Sequence, residues 1–288
     1  MSSAVKIVEC PRDAWQGLAA QIPPDVKAGY LRKLVDAGFT HIDAVSFVAP
    51  AAVPQMADSE RVLELLGPQK NLEIIGIMVN EKGAERAIHT GAVHTLGFPY
   101  SISAEFLQRN QHQSSEGALE ALRAIVVRAG DAGLNMAAYL SMAFGNPYGE
   151  TWSVSAVVDA CAQLVDCGVR EISLADTVGV ATPEQIAKTV GAVIAAHGEI
   201  EIGVHLHARR SDAAERIGAA YDEGCRRFDA AIGGMGGCPF AQDALVGNLP
   251  TETLLATLVG FGANLPKVGP LDELIDASAQ IAAGCNPG

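Results

Sequence analysis

The stretch DVKAGYLRKLVDAGFTHIDAVSF, Asp25 to Phe47, holds the unit from which the rest of the chain is read. Asp25–Ala37 reads as an amphipathic helix. Gly38 follows it, an achiral residue able to take the left-handed conformation that closes a helix. His41–Phe47 then reads as a short strand. The same punctuation returns at Ala132-Gly133, Cys167-Gly168 and Glu223-Gly224. Working outward, strands are expected at Val5–Glu9, His41–Phe47, Leu72–Val79, Val93–Phe98, Met136–Met142, Glu171–Asp176, Glu201–His207 and Arg227–Ile232. Helices fall between them, as at Ser114–Ala132, Ser153–Cys167 and Pro183–His197. Strands alternating with helices of this length belong to parallel sheets with crossover connections, and eight of them close a barrel. The expected fold is a single α/β domain over residues 1–288, a (β/α)8 TIM barrel with its active site at the C-terminal ends of the strands. An open doubly wound sheet would show the same alternation, but no G-x-G-x-x-G follows the first strand, so the usual dinucleotide turn is missing.

Composition narrows the function. Among 288 residues, 49% are hydrophobic and 18% charged, enough apolar surface for a large core. Twenty Lys and Arg against thirty-three Asp and Glu leave a net charge of −13, so no basic surface is available to neutralise a phosphate backbone, and nucleic acid is not an expected partner. No apolar run approaches the ~20 residues that span a bilayer, and the first residues carry no basic stretch followed by an apolar core. Six cysteines without a C-x-x-C pair are consistent with a reducing cytoplasm. Self-association into a homo-oligomer stays open.

In such a barrel, polar residues at strand C-termini are the ones to collect. His205 and His207 lie two apart on a strand, so both imidazoles face the same way and suit a divalent metal; two core histidines bonded to carbonyls are the alternative. Asp13, at the end of the first strand, favours the metal, since two histidines and one carboxylate leave positions open for substrate. Arg12 beside Asp13 is either an ion pair, if the backbone turns there, or a positive charge that steadies an enolate oxygen. Cys238 sits among glycines, as a thiol on a mobile loop or as filler in a turn. Trp15 and Trp152 follow strand ends and either wall a pocket or pack in the core. Cys161 and Cys167 read as structural. His89, His94, His112 and His197 have no partner of the right spacing.

These motifs are collinear with a known family. Val5-Lys6-Ile7-Val8-Glu9 with Pro11-Arg12-Asp13 comes first, then Val45-Ser46-Phe47-Val48-Ala49-Pro50 with Val53-Pro54-Gln55-Met56-Ala57-Asp58. Ile172-Ser173-Leu174-Ala175-Asp176-Thr177-Val178-Gly179, Val204-His205-Leu206-His207, and Gly236-Gly237-Cys238-Pro239 with Gly247-Asn248-Leu249 follow. Together they resemble the 3-hydroxy-3-methylglutaryl-CoA lyase family. The resemblance implies a (β/α)8 metallo-lyase that splits an acyl-CoA into acetyl-CoA and a ketone or keto acid. It implies that Asp13, His205, His207 and Asn248 hold a divalent cation, Mg²⁺ or Mn²⁺. By the same matching, Arg12 stabilises the enolate, Asp176 and Asp43 are site carboxylates, Cys238 is the lid cysteine and Gln16 is the glutamine after the first motif.

Departures from the family pattern fall on the substrate side. The usual Gly-Pro-Arg-Asp-Gly-Leu-Gln reads Cys10-Pro11-Arg12-Asp13-Ala14-Trp15-Gln16, a glutamate is replaced by Asp43, and Ala208-Arg209-Arg210-Ser211 replaces Asp-Thr-Tyr-Gly. The resulting expectation is a divalent-metal-dependent carbon–carbon lyase for a 3-hydroxyacyl-CoA, 3-hydroxy-3-methylglutaryl-CoA or a close analogue, with Trp15, Gln16 and Arg12 against the substrate; the departures predict a preferred acyl group other than 3-hydroxy-3-methylglutaryl, with a second carboxylate still required. Its rivals are a citramalyl-CoA-type lyase, a condensing relative resembling isopropylmalate synthase, and a non-catalytic acyl-CoA-binding relative.

Overall fold

The computed structural model describes residues 4–236 and 246–284. Eight strands close into a barrel in chain order, each paired in parallel with its neighbours and the eighth with the first. They are β1 (Lys6–Glu9), β2 (His41–Ser46), β3 (Glu73–Ile77), β4 (Thr95–Ser101), β5 (Asn135–Ser141), β6 (Glu171–Ala175), β7 (Glu201–His205) and β8 (Arg227–Ala230). In the first half of the chain lie α1 (Pro11–Gln16), α2 (Pro24–Asp36), α3 (Ser59–Leu66), α4 (Glu81–His89), α5 (Ala104–Gln111) and α6 (Ser115–Asp131). The second half adds α7 (Val154–Asp166), α8 (Pro183–His197), α9 (Arg210–Asp222), α10 (Thr251–Gly260) and α11 (Asp272–Ala282). None of the described helices is long and apolar enough to cross a membrane.

All eight expected strands form, with their ends moved for local reasons. β4 runs past the expected stop at Phe98, because Pro99 keeps register with Tyr139 while its carbonyl accepts from Gln111 Nε2 at 2.9 Å. β8 stops at Ala230 and not Ile232, because Gly233 takes φ +74° and turns the chain into one short 3₁₀ segment. β7 stops at His205, and His207 pairs instead with Asn248 in an isolated antiparallel bridge. That bridge places the last two motifs of the sequence side by side.

Side chains fill the barrel interior in layers. At the N-terminal end, Lys6 lies 2.8 Å from Glu201 and 3.5 Å from Glu171, while Arg227 lies 3.2 Å from Glu171. This ionic plug is possible because β7 offers Gly203, where a Cβ would lie 2.7 Å from the Arg227 side chain. Above it, Val8, Cys10, Ile75, Ile77 and Tyr139 pack as a separate apolar cluster. The larger core lies outside the strands, under the helices. Cys161 and Cys167 belong to it, as expected of structural cysteines.

Glu9, one of the few carboxylates on the helix-facing side of a strand, joins three elements. Its carboxyl accepts from Ile232 N at 2.8 Å and from Thr251 Oγ1 at 2.6 Å, tying β1 to the segment after β8 and to the start of α10. Burial pushes its pKa up to about 8, although both hydrogen bonds pull it down. The folded chain therefore keeps a proton that the unfolded chain releases near the ordinary carboxyl value. Stability should fall as pH rises from about 4.5 to about 8 and level off above. Glu9→Gln reproduces the neutral acid, so the melting temperature of the variant minus that of the parent should grow between about pH 5 and about pH 9. A difference that does not change with pH would show that Glu9 is ionised in the fold.

Candidate active site

The C-terminal mouth of the barrel opens into a cavity of about 170 Å³, lined on its polar side by Arg12, Asp13, Gln16, His205 and His207 and on its apolar side by Val48, Val53, Ile77, Val79 and Phe106. β1 delivers Arg12 and Asp13 there by an abrupt turn. Cys10 leaves the strand conformation and Pro11, whose ring fixes φ near the helical value, opens α1 at once. The two residues thus sit on a helical turn and not on opposite faces of a strand, and Arg12 Nη1 donates to Asp13 Oδ1 at 3.1 Å. The stronger pairing is with Asp43 of β2. Arg12 Nε donates to Asp43 Oδ1 at 3.0 Å and Nη2 donates to Oδ2, a two-pronged contact buried from water. Burial pushes the Asp43 carboxyl up, and the adjacent guanidinium opposes that rise.

Asp13 is the hub. Its Oδ1 also accepts from Gln16 Nε2 at 2.9 Å, and its Oδ2 accepts from Asn248 Nδ2 at 2.8 Å and lies 3.9 Å from His205 Nε2. Burial alone would raise its pKa, but Arg12 and the two imidazoles hold it down at about 2. The His205 and His207 rings stand 5.3 Å apart at 70°. Burial, reinforced by His205, lowers His207 to about 4, so its ring is neutral near pH 7. His205 is desolvated too, yet Asp229 and Asp13 raise it above its ordinary value.

Asp13, His205 and His207 each present a ligand atom within 4.8 Å of the others. Among the described residues, His207 Nε2 and Asn248 Oδ1 are buried atoms with no hydrogen-bond partner. Unmet buried acceptors beside an ionised carboxylate are what a cation site needs. The donor set of two imidazoles, one carboxylate and one amide oxygen, without thiolate, fits a hard or borderline divalent ion with positions left for substrate. The residues present therefore fit the group that the sequence motifs imply.

A family model described as HMGL-like matches residues 4–280. The chain belongs to the HMGL-like family. Mitochondrial hydroxymethylglutaryl-CoA lyase of Bos taurus is 34% identical over 98% of this chain and 86% of its own length. The hydroxymethylglutaryl-CoA lyase of Pseudomonas mevalonii is 31% identical over 90% of this chain and 86% of its own. Among solved structures, an HMG-CoA lyase from Acinetobacter baumannii in complex with coenzyme A and 3-methylmalate has a TM-score of 0.89 at 30% identity, over 100% of this chain and 94% of that one. The carboxyl transferase domain of Rhizobium etli pyruvate carboxylase, at TM-score 0.71 and 16% identity, shares the fold alone. With its lyase relatives, this HMGL-like chain is a carbon–carbon lyase.

Not every expected site residue of this HMGL-like protein reaches the cavity. Asp176 does not: Ala175 and Thr177 on either side line it, whereas Asp176 points the other way. There it accepts from Val180 N, Ala181 N and Arg216 Nη1 at 2.9, 3.0 and 3.1 Å, and burial raises its pKa to about 6. It shapes the loop after β6 and ties that loop to α9, outside the cavity lining. Trp15 does not line the cavity either. It lies on the core side of α1, 1% exposed, edge-on to Tyr30 of α2 with ring centres 5.6 Å apart. Trp15→Leu should cost roughly 2–4 kcal/mol of stability and leave the ratio of kcat/KM between two thioesters unchanged; a shifted ratio would return the indole to the pocket wall. Trp152 is also spent structurally, donating Nε1 to Ala143 O at 3.1 Å. Arg210 is exposed and pairs with Glu252 at 2.7 Å, and Arg209 precedes it as the N-cap of α9. Cys238 lies outside the described residues.

Residue reading alone missed Ser173, Tyr139 and Asp229, all on the inner face of the barrel near His205. A signal was present in strand eight, where counting in twos from Arg227 puts Asp229 inside, level with His205 in the register.

Proposed function

We propose that this chain is a divalent-metal-dependent lyase that cleaves a 3-hydroxyacyl-CoA carrying a distal carboxylate, 3-hydroxy-3-methylglutaryl-CoA or a close analogue, to acetyl-CoA and a keto acid or ketone. The observation that carries this reading is the convergence of Asp13, His205 and His207 on the cavity edge beside Arg12, with Asn248 bonded to Asp13 behind them and unmet buried acceptors on His207 and Asn248. A bound Mg²⁺ or Mn²⁺ would supply Lewis acidity to the 3-hydroxyl and a carboxylate oxygen of the substrate.

Arg12 steadies the negative charge that develops on the thioester oxygen as the carbon–carbon bond breaks. Its fork is already oriented by Asp43, so little reorganisation is needed at that moment. Gln16, bonded to Asp13 and within reach of Arg12 at 3.0 Å, keeps these two groups in one arrangement. The apolar wall of Val48, Val53, Ile77 and Phe106 shelters the reacting end from water. Cys238 is assigned the proton delivery to the enolate carbon on its motif alone.

The resemblance to relatives named for hydroxymethylglutaryl-CoA favours that thioester over citramalyl-CoA. Two of the departures behind the expectation of a different acyl group, Trp15 and Arg210, are directed away from the cavity or paired elsewhere. The bacterial relative supports action in the cytoplasm. Purified protein with Mg²⁺ or Mn²⁺ should release acetyl-CoA from 3-hydroxy-3-methylglutaryl-CoA faster than from citramalyl-CoA, and chelation should abolish the release. Turnover that survives exhaustive chelation would end the metal reading. Binding of the thioester without turnover would favour a non-catalytic acyl-CoA-binding protein.

A further inference from the structure

Below His205, on the barrel axis, lies a carboxylate that the reaction does not use. Asp229 of β8 is 1% exposed and sits opposite His205 in the strand register. Its Oδ2 accepts from Ser173 Oγ of β6 at 2.8 Å and lies 3.4 Å from His205 Nδ1, on the side of the ring facing away from Asp13. Its Oδ1 lies 3.5 Å from Nε of Arg227, whose side chain is fully buried and anchored by Glu171 and Glu201 at the barrel base. Tyr139 meets the His205 ring edge-to-face at 87°, and Arg227 Cζ stands 5.9 Å from the same Tyr139 ring. Four strands and the ionic plug thus fix one carboxylate against one imidazole nitrogen.

We propose that Asp229 is a positioning residue, held by Ser173 and Arg227, that keeps the proton of neutral His205 on Nδ1 and so turns the Nε2 lone pair toward Asp13 and the cation. The reason is chemical: an imidazole nitrogen facing a carboxylate carries the proton, and the opposite nitrogen is left as the ligand. Arg227 does not touch the cavity, but it balances the charge of Asp229 and ties the metal edge to the N-terminal end of the barrel. The inference rests on the metal reading above.

The test uses Mn²⁺ alone as probe, titrated calorimetrically into the full chain. Asp229→Asn should weaken Mn²⁺ binding by about 10–100-fold. Ser173→Ala, which leaves the Asp229–Arg227 pair intact and guards against a variant that fails to fold, should weaken it in the same direction by a smaller factor. In the metal-free parent, ¹⁵N NMR at a pH where the ring is neutral should show His205 protonated on Nδ1. A neutral His205 protonated on Nε2 would overturn the proposal. So would a folded Asp229→Asn or Ser173→Ala protein whose melting temperature drops while its Mn²⁺ affinity equals the parent's. A parent that binds no Mn²⁺ would instead sink the metal reading itself, and the positioning role with it.

Discussion

Arg12→Gln is expected to lower kcat by about 10²–10³ while Mn²⁺ affinity stays near that of the parent. The guanidinium is buried at the cavity edge and makes a two-pronged contact with Asp43 and a single one with Asp13, so its position is fixed before substrate arrives. A charge held in that way is worth most where new negative charge appears, on the thioester oxygen in the transition state, and much less in the ground state. Glutamine fills part of the volume and can still donate one hydrogen bond, but it brings no charge. Asp43, already pushed upward by burial, would then lose the partner that opposes the rise and take up a proton. Arg12→Lys should not restore the rate, because one ammonium cannot span both Asp43 oxygens and still face the cavity. The measurement is steady-state kinetics of acetyl-CoA release beside a Mn²⁺ titration of each variant. A rise in KM alone, with kcat preserved, would place Arg12 in substrate binding and not in charge stabilisation.

The barrel was legible in the chain because its signal is repeated. Each strand alone is ambiguous, but the helix, glycine and strand of Asp25–Phe47 recur, and the closed barrel of eight parallel strands in chain order is what that repetition leads one to expect. The candidate cluster of Asp13, His205 and His207 was legible for a similar reason. The two-residue spacing of His205 and His207 fixes their common face, and Asp13 marks the end of another strand. What stayed hidden depends on which way a side chain points after the strand has ended. Asp176 and Trp15 sit beside true cavity residues in sequence, yet the loop after β6 and the helical turn of α1 aim them outward. Asp229 was missed because a carboxylate between two apolar neighbours in a strand has no motif, and its meaning comes only from His205 across the barrel. Asn248 could be placed from the family motif but not from spacing, since the antiparallel bridge to His207 joins positions 41 residues apart in the chain.

Asp13→Asn should separate the two halves of the site that Arg12→Gln leaves joined. Asp13 gives Oδ1 to Arg12 and Gln16 and Oδ2 to the side of Asn248 and His205, so among the described residues it is the side chain shared by the charge-stabilising pair and the cation edge. Its pKa of about 2 shows that it is fully ionised at neutral pH despite its burial. Asparagine is isosteric but neutral, and its amide group would present hydrogens to donors that are already Nδ2 of Asn248 and Nη1 of Arg12. The cation edge would then hold two imidazoles and an amide oxygen with no negative charge to balance a divalent ion. The expected loss of Mn²⁺ affinity exceeds the ~10–100-fold typical of changes one layer further out, and turnover should fall with it at any Mn²⁺ concentration that leaves the site empty. Raising Mn²⁺ should recover part of the rate in Asp13→Asn and none in Arg12→Gln, because only the first defect lies in occupancy. Calorimetric titration with Mn²⁺ alone, beside rates at several Mn²⁺ concentrations, reads both outcomes. Parent-like Mn²⁺ affinity in a folded Asp13→Asn protein would remove the carboxylate from the ligand set and leave Asp13 as a partner of Arg12 only.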